Sequence, residues 1–395
     1  MPQNCAAIYA HIPFCARRCP YCDFAVSVNR SPEFHQKYVR ALRREIEFSL
    51  QNRPPISSIY FGGGTPTTLA ARDLNALLAL LFQNAQIAPD AEISIEANPE
   101  NLSLDYLREL RAGGWNRISL GAQSLDDASL QQFGRAHRGQ DVENALQNAR
   151  AASFENVSLD LIYGEPLTPP SVWRQTLRRA AQFDVTHVSC YSLTVEDGTQ
   201  FGVRARRGEL KIGDDDSFAD LMEMADEILR TNGFSRYEVS NWARPGFESR
   251  HNQNYWRGGD YFGLGCGAHG HFAGHRFWNE RDAKTYVLRL ENGQNARAGE
   301  EFLGAHERLS EFLALGLRTR EGFDLDEISR RLGPDAAAIL TEPLAKMEKL
   351  GVLRREGSQI IPSEKSLAIA DGIALKLLQG IETLENSGVF LKNGV

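Results

Sequence analysis

Seven short runs dense in β-branched and aromatic residues recur through the first 242 positions: "AIYAHIPF", "SSIYFGGG", "EISIEANP", "RISLGAQS", "VSLDLIYG", "HVSCYSLT" and "RYEVSNW". Each reads as a buried strand. Segments with helical spacing separate them. In the clearest, Ser31 to Leu50, Ser31 can cap, Pro32 suits the first turn, and Phe34, Tyr38, Leu42 and Ile46 fall four apart on one face. Further helices are expected at "TTLAARDLNALLALLFQNA", "SLDYLRELRAGG", "DVENALQNARAA", "PSVWRQTLRRAAQF" and "DDSFADLMEMADEILRTNG". Strands that alternate with helices run parallel and are joined by right-handed crossovers, as a doubly wound sheet or as a full or partial barrel. Periodicity does not choose between these. The barrel is favoured because Cys15, the glycines of "FGGGTPT", Glu96, Gln123 and Asp160 fall at or just past successive strand ends, where a barrel gathers its functional groups.

After Trp242 the composition shifts. "RPGFESRHNQNYWRGGDYFGLGCGAHGHFAGHRFWNE" concentrates glycine, histidine and aromatics without periodicity, as a long functional loop would. Its aromatics argue against disorder. From about His306 helical spacing returns, with a short hairpin and a final helix, in the pattern of a small winged-helix-like domain. The expected division is a core over 1–235, a connecting segment over 236–300 and a mainly helical C-terminal domain over 301–395. The net charge of −7, from 44 basic and 51 acidic residues, is a poor match for a phosphate-neutralising surface, so nucleic acid is not an expected partner and the C-terminal domain is expected to pack or meet a protein. The pairs Arg43-Arg44 and Arg178-Arg179 sit among acids in helical segments and read as solvated faces. Neither a leader-like start nor a run of roughly 20 apolar residues is present, and the expected location is the cytoplasm.

In the cytoplasm thiols stay reduced, and clustered cysteines bind metal or do chemistry. "HIPFCARRCPYCDF", residues 11 to 24, holds three of the six cysteines: Cys15, Cys19 and Cys22. Three thiols cannot all pair as disulfides within the segment. C-x3-C-x2-C on a loop can surround zinc, with His11, Cys5 or Cys266 as a fourth ligand, or an iron–sulfur cluster. A four-iron cluster on three cysteines leaves one iron open to a small ligand.

"CARRCPYC", with Tyr21 before its last cysteine, resembles the signature of the radical S-adenosylmethionine superfamily. That resemblance implies a partial (β/α)6-type barrel, a [4Fe-4S] cluster on Cys15, Cys19 and Cys22, and S-adenosylmethionine chelated by the open iron and cleaved to a 5′-deoxyadenosyl radical. The cofactor supplies this chemistry, and the protein supplies position and dryness. "GGGTPT" suits backbone approach to an amino acid head and lacks the ending of a phosphate loop. "YAHIPFC", "YFGGGTPT", "IEANP", "RISLGAQS" and "LDLIYGEP" are similar to the oxygen-independent coproporphyrinogen oxidase group, whose contacts to S-adenosylmethionine carry over to Tyr9, Tyr21, Gly63, Gly64, Thr65, Glu96, Gln123, Arg135 and Asp160. Whether one or two such molecules bind stays open.

The true oxidases are known for a further cysteine two positions past the third, where this chain has Phe24. "HNQNYW" resembles instead the H-N-x-x-Y-W pattern of the HemW-type haem chaperones. This resemblance implies haem as a third cofactor, with His251 offering a nitrogen to iron and Tyr255 and Trp256 giving flat apolar surface. It also implies a haem-accepting protein as partner, with peripheral membrane association through that partner as an option, and no coproporphyrinogen III oxidase activity. The alternative is an oxygen-independent coproporphyrinogen III dehydrogenase of porphyrin biosynthesis. Cys266 competes as a haem ligand, and His269, His271 and His275 form an H-x-H-x3-H array able to bind zinc or haem. "GCGAHG" satisfies G-x-G-x-x-G but sits in the wrong context for a dinucleotide. Cys5 and Cys190 read as ordinary thiols, Cys190 on a strand that could face the site. Cluster and haem sites are expected on separate segments, and the oligomeric state is left open.

Overall fold

The computed structural model describes residues 5–386 apart from Arg30, Asn52 and Leu167. Its N-terminal half alternates β1 (Ala6–Ile12), α1 (Pro32–Ser49), β2 (Ile56–Gly63), α2 (Ala71–Asn84), β3 (Ile87–Ala97), α3 (Leu104–Ala112), β4 (Arg117–Gln123), α4 (Asp127–Gln132), α5 (Gly139–Ala151), β5 (Asn156–Tyr163), α6 (Pro170–Gln182) and β6 (His187–Ser192). The six strands pair in parallel in chain order. Crossovers of one hand that always step in the same direction put every helix on one face, so the sheet curls around the other face as a partial barrel.

Strand alternation serves both faces. Ile8, Ala10, Ile59, Phe61, Ile95, Leu120, Leu159 and Val188 are buried in the core under the helices. The residues between them are polar: Tyr9, His11, Ser58, Tyr60, Ser94, Glu96, Ser119, Asp160 and Ser189. α1 forms as its spacing predicts: the Ser31 hydroxyl accepts from Phe34 N at 3.3 Å, Pro32 opens the helix, and Tyr38, Leu42 and Ile46 are buried.

The chain departs from expectation after β6. α7 (Gln200–Arg206) and α8 (Asp215–Thr231) lead to "RYEVSNW", which is a tight antiparallel pair rather than one strand: β7 (Ser235–Glu238) and β8 (Asn241–Ala243), the latter antiparallel to β6. The supposed loop is folded. It contains α9 (Arg250–Trp256), β9 (Tyr261–Leu264), β10 (His269–Phe272), β11 (His275–Asn279), α10 (Ala283–Glu291) and β12 (Arg297–Phe302). β9 pairs in parallel with β1, and β10 to β12 add antiparallel strands, so one sheet of twelve strands runs from β12 to β7. These strands escape periodicity because they are four to six residues long. The β10–β11 turn also hides, because its two residues, Ala273 (φ 52°) and Gly274 (φ 78°), take the left-handed geometry usually signalled by Asn-Gly.

Glu45 of α1 fastens this extension to the barrel. Its buried carboxylate accepts from Gly265 N at 2.7 Å, Asn279 Nδ2 at 2.6 Å and the Tyr286 hydroxyl at 2.6 Å. Burial pushes its pKa up to about 7 in spite of these donors.

A second core, including Leu313, Leu317, Ile328, Leu344, Ile360 and Leu377, belongs to α11 (Ala305–Leu317), β13 (Phe323–Asp324), α12 (Leu325–Leu332), α13 (Pro334–Ala338), α14 (Thr341–Lys349), β14 (Leu353–Glu356), β15 (Gln359–Pro362) and α15 (Ala370–Asn386). The sheet order β13-β15-β14 with the preceding helices is the winged-helix arrangement. Val239 N donates to Arg318 O and Arg320 N to Tyr237 O, both at 2.9 Å, tying this domain to the β7–β8 turn.

Tyr286→Phe leaves the Glu45 carboxylate one donor short without altering the packing. It is expected to lower stability by about 1–3 kcal/mol, read as a lower denaturation midpoint at an unchanged m-value.

Candidate cofactor rim and barrel lumen

The cysteine loop leaves the carboxyl end of β1 and is pinned from both sides: Thr65 N donates to Phe14 O at 2.8 Å, Cys15 N to Ser27 O at 3.0 Å, and His11 Nε2 to Ala25 O at 2.8 Å. His11 Nδ1 then accepts from the Tyr9 hydroxyl at 3.0 Å, so His11 has no nitrogen left for zinc. Cys266 is buried against the Tyr38 hydroxyl, and Cys190 faces the helices and not the lumen. Among the described residues no three His, Cys, Asp or Glu side chains converge on a point that one ion could occupy. A cluster spreads its thiolates over separate irons and does not ask for that convergence.

All three sulfurs have a hydrogen-bonding neighbour, Cys22 the backbone of Phe24. The Thr65 hydroxyl lies 3.8 Å from Cys15 Sγ and accepts from Asn98 Nδ2 at 3.1 Å. Asn98 Oδ1 in turn accepts from Arg135 Nη2 at 2.6 Å, and Arg135 Nη1 reaches Cys19 Sγ at 3.7 Å. A continuous chain therefore runs from Cys15 through Thr65, Asn98 and Arg135 to Cys19. Donors of this kind favour thiolate over thiol and orient metal-binding sulfur. Buried Arg135 Nε has no hydrogen-bond partner among the described residues. Tyr21 packs edge-on against Phe133 beside this chain. With Cys22 N bonded to Cys19 O in a tight turn, the three cysteines fit a cluster ligand set.

The glycine run at the end of β2 is required by close approach. Gly63 has φ +112°, and a Cβ there would fall 2.4 Å from the His11 ring, while one at Gly64 would fall 2.6 Å from Pro13 O. Gly63 N donates to Glu96 Oε2 at 3.0 Å, and the Tyr60 hydroxyl donates to Oε1 at 2.9 Å. Burial raises the Glu96 pKa to about 7. Gln123 sits at φ +66° beside a bulge between β4 and β5, a strained conformation for a side chain that ends a strand at the rim. Asp160 lies deeper, where the Ser119, Ser158 and Ser189 hydroxyls donate to it at 2.9, 3.2 and 2.8 Å, and burial still raises its pKa.

His251 is elsewhere. It lies on α9, over the amino-terminal end of the strands, where the Glu92 carboxylate accepts from Arg250 N and His251 N at 3.0 and 3.1 Å and caps the helix. Its ring is 1% exposed, with Nδ1 hydrogen-bonded to Ser58 Oγ at 3.0 Å and Nε2 to the Tyr255 hydroxyl at 2.9 Å. Both nitrogens are engaged, so His251 would have to give up the Ser58 or the Tyr255 hydroxyl to present one to haem iron. Tyr255 hydrogen-bonds His251 and packs edge-on against Tyr261, and Trp256 lies under Arg318; both are half-buried and line a cavity beside the C-terminal domain. The histidine array is also divided, with His275 on the opposite face of the β10–β11 hairpin from His269 and His271.

Residues 9–180 match the model of the radical SAM superfamily, and residues 303–368 that of the HemN C-terminal domain. A haem chaperone HemW of Mycobacterium tuberculosis is 38% identical over 96% of each chain. One of Lactococcus lactis is 33% identical over 96% of this chain and 98% of its own. The chain belongs to the HemW family. Among solved structures, coproporphyrinogen III oxidase (HemN) of Escherichia coli superposes with a TM-score of 0.80 at 25% identity, over 95% of this chain and 91% of that one. Sequence reading missed Asn98, Tyr60 and the three serines around Asp160, although the period-two polar alternation within strands read as wholly buried was their signal.

Burial pushes the Cys15 thiol up to about 11 from its ordinary 9. In cluster-free HemW-family protein at pH 7.5, alkylation of Cys15 is expected to run on the order of 100-fold slower than that of a free thiol, measured by mass spectrometry. Burial also pushes His251 down to about 3 from 6.5. The unfolded chain takes up a proton below pH 6.5 that the folded one refuses, so this contribution is complete above pH 6.5 and is lost as the pH falls towards 3. His251→Asn should flatten that part of the plot of stability against pH.

Proposed function

We propose that this chain binds haem and passes it to an acceptor protein, on a scaffold whose rim holds a [4Fe-4S] cluster through Cys15, Cys19 and Cys22. The observation that carries this reading is the likeness over 96% of both chains to a relative named as a haem chaperone. Phe24, where the resemblance expects a cysteine in the oxidases, supports it against coproporphyrinogen III oxidation. The cluster, when bound, supplies an iron open to S-adenosylmethionine.

This chain's own residues shape the pocket above it. Gly63 and Gly64 bring backbone close, and Thr65 steadies the Cys15 sulfur. Glu96, held between Gly63 N and Tyr60, exchanges a proton near neutrality, and the positive charge of an approaching ammonium would favour its ionised form, the proton leaving to solvent. Arg135 offers its free Nε to an anion. Asp160 is an acceptor aligned by three serines for hydroxyl groups. Gln123 brings a donor and an acceptor at the strand end, and Tyr9 and Tyr21 complete the walls. Among the described residues no helix is long and apolar enough to cross a membrane. Handover in the cytoplasm, with any membrane contact made through the acceptor, completes the proposal.

Protein reconstituted without oxygen should contain iron and acid-labile sulfide, and its reduced electron paramagnetic resonance spectrum should change when S-adenosylmethionine is added. Cys19→Ser should abolish both. Zinc without iron would remove the cluster. Conversion of coproporphyrinogen III to protoporphyrinogen in the presence of reductant would replace the chaperone reading with the oxidase one.

A further inference from the structure

A cavity of about 2340 Å³ opens between the sheet extension, the tail of the cysteine loop and the C-terminal domain. It is well above the roughly 300–1,000 Å³ of common small-ligand pockets. One wall is the face of β10 to β12 that carries His269, Arg276 and Trp278. The lining also includes Phe24, which is 67% exposed, and Phe312 of α11. Resting on the proposal that this chain carries haem, we infer that haem docks in this cavity with His269 as its iron ligand.

Of the histidines lining the cavity, His269 alone has a free ring. His11 is spent on Tyr9 and Ala25, and His271 pairs with Asp260 at 3.5 Å. Among the described residues no group hydrogen-bonds the His269 ring, which is exposed and whose ring contact is with Trp278, stacked at 5.9 Å between centroids and 27° between planes. Trp278 is itself held flat: a Cβ on Gly299 across the ladder would fall 2.3 Å from Trp278 Cζ2, so glycine is needed there. Trp278 is thus a positioning residue that sets the plane of the imidazole. Phe24 and Phe312, which line the same cavity, would offer apolar surface to the macrocycle.

Haem also carries two propionates. Arg276 is neutralised by Glu301 and Glu311, whereas Arg308, on the same cavity, has no carboxylate partner among the described residues and donates to Arg331 O at 3.2 Å. Arg281 also lines this cavity and, being paired with the single carboxylate of Asp23 at the surface, would have to exchange that partner for a propionate. The same pair brings the tail of the cysteine loop against the segment that carries His269. Asp23, Phe24 and Ala25 follow Cys22 directly, and Arg281, Gly267 and His11 hold them against the extension. Filling the cluster would therefore order one wall of the haem cavity.

The test is titration of ferric haem into the full chain, reconstituted without oxygen, followed by optical absorption and electron paramagnetic resonance. His269→Ala is expected to weaken binding by more than the roughly 10- to 100-fold that loss of an outer partner costs a metal site. It should also erase the histidine-ligation signature, and added imidazole should restore that signature. His269→Met should shift the spectrum while keeping haem bound, and Trp278→Leu should weaken ligation with the fold intact by circular dichroism. If His269→Ala binds haem with unchanged affinity and spectrum, the assignment is overturned while the haem-carrier reading stands. If the unaltered chain binds no haem, that reading fails and the assignment goes with it.

Discussion

The six parallel strands pair in chain order, and the rest of the molecule follows from that. Because every crossover steps the same way, helices cover one face only, and the other face curves into a lumen that no helix fills. A parallel sheet is normally apolar on both faces. Here the inner face is polar at every second residue, and those groups satisfy one another: serines and Asp160, Tyr60 and Glu96, Ser58 and His251. Such a network is tolerable in a buried place because nearly every member has a partner, and rigid for the same reason.

The rim departs from this self-sufficiency. Arg135 Nε is unpaired, Gln123 is held in a left-handed conformation, and Glu96 sits with a pKa near neutrality. Strain at Gln123 and part of the unspent hydrogen-bonding capacity lie at the end of the strands where the three cysteines are, while Arg117 Nε and Ser94 Oγ, deeper in the barrel, also lack partners among the described residues. At the other end, α9 closes the barrel with its first backbone amides on Glu92.

Much of this was legible. The cysteine spacing, the glycines after β2 and the polar residues at strand ends announce themselves locally, because each needs only its neighbours along the chain to be recognised. The H-N-x-x-Y-W stretch was just as visible, but the burial of its histidine was not. Whether His251 is open depends on Ser58, 193 residues away, and on the Glu92 carboxylate that docks α9. Trp278 and Gly299 carried no signal at all, since their relation exists only across the ladder between two short strands.

The sequence by itself determined the parallel α/β core, the cluster-type ligand spacing and the family, since strand and helix periods and cysteine spacing are properties of contiguous residues. The tertiary structure decided which polar groups meet. It built one sheet of twelve strands from what looked like a barrel and a loop, sealed His251 and left His269 bare. Pairing between distant segments fixes these outcomes, because a side chain's availability is set by what packs over it and not by its own neighbours in the chain.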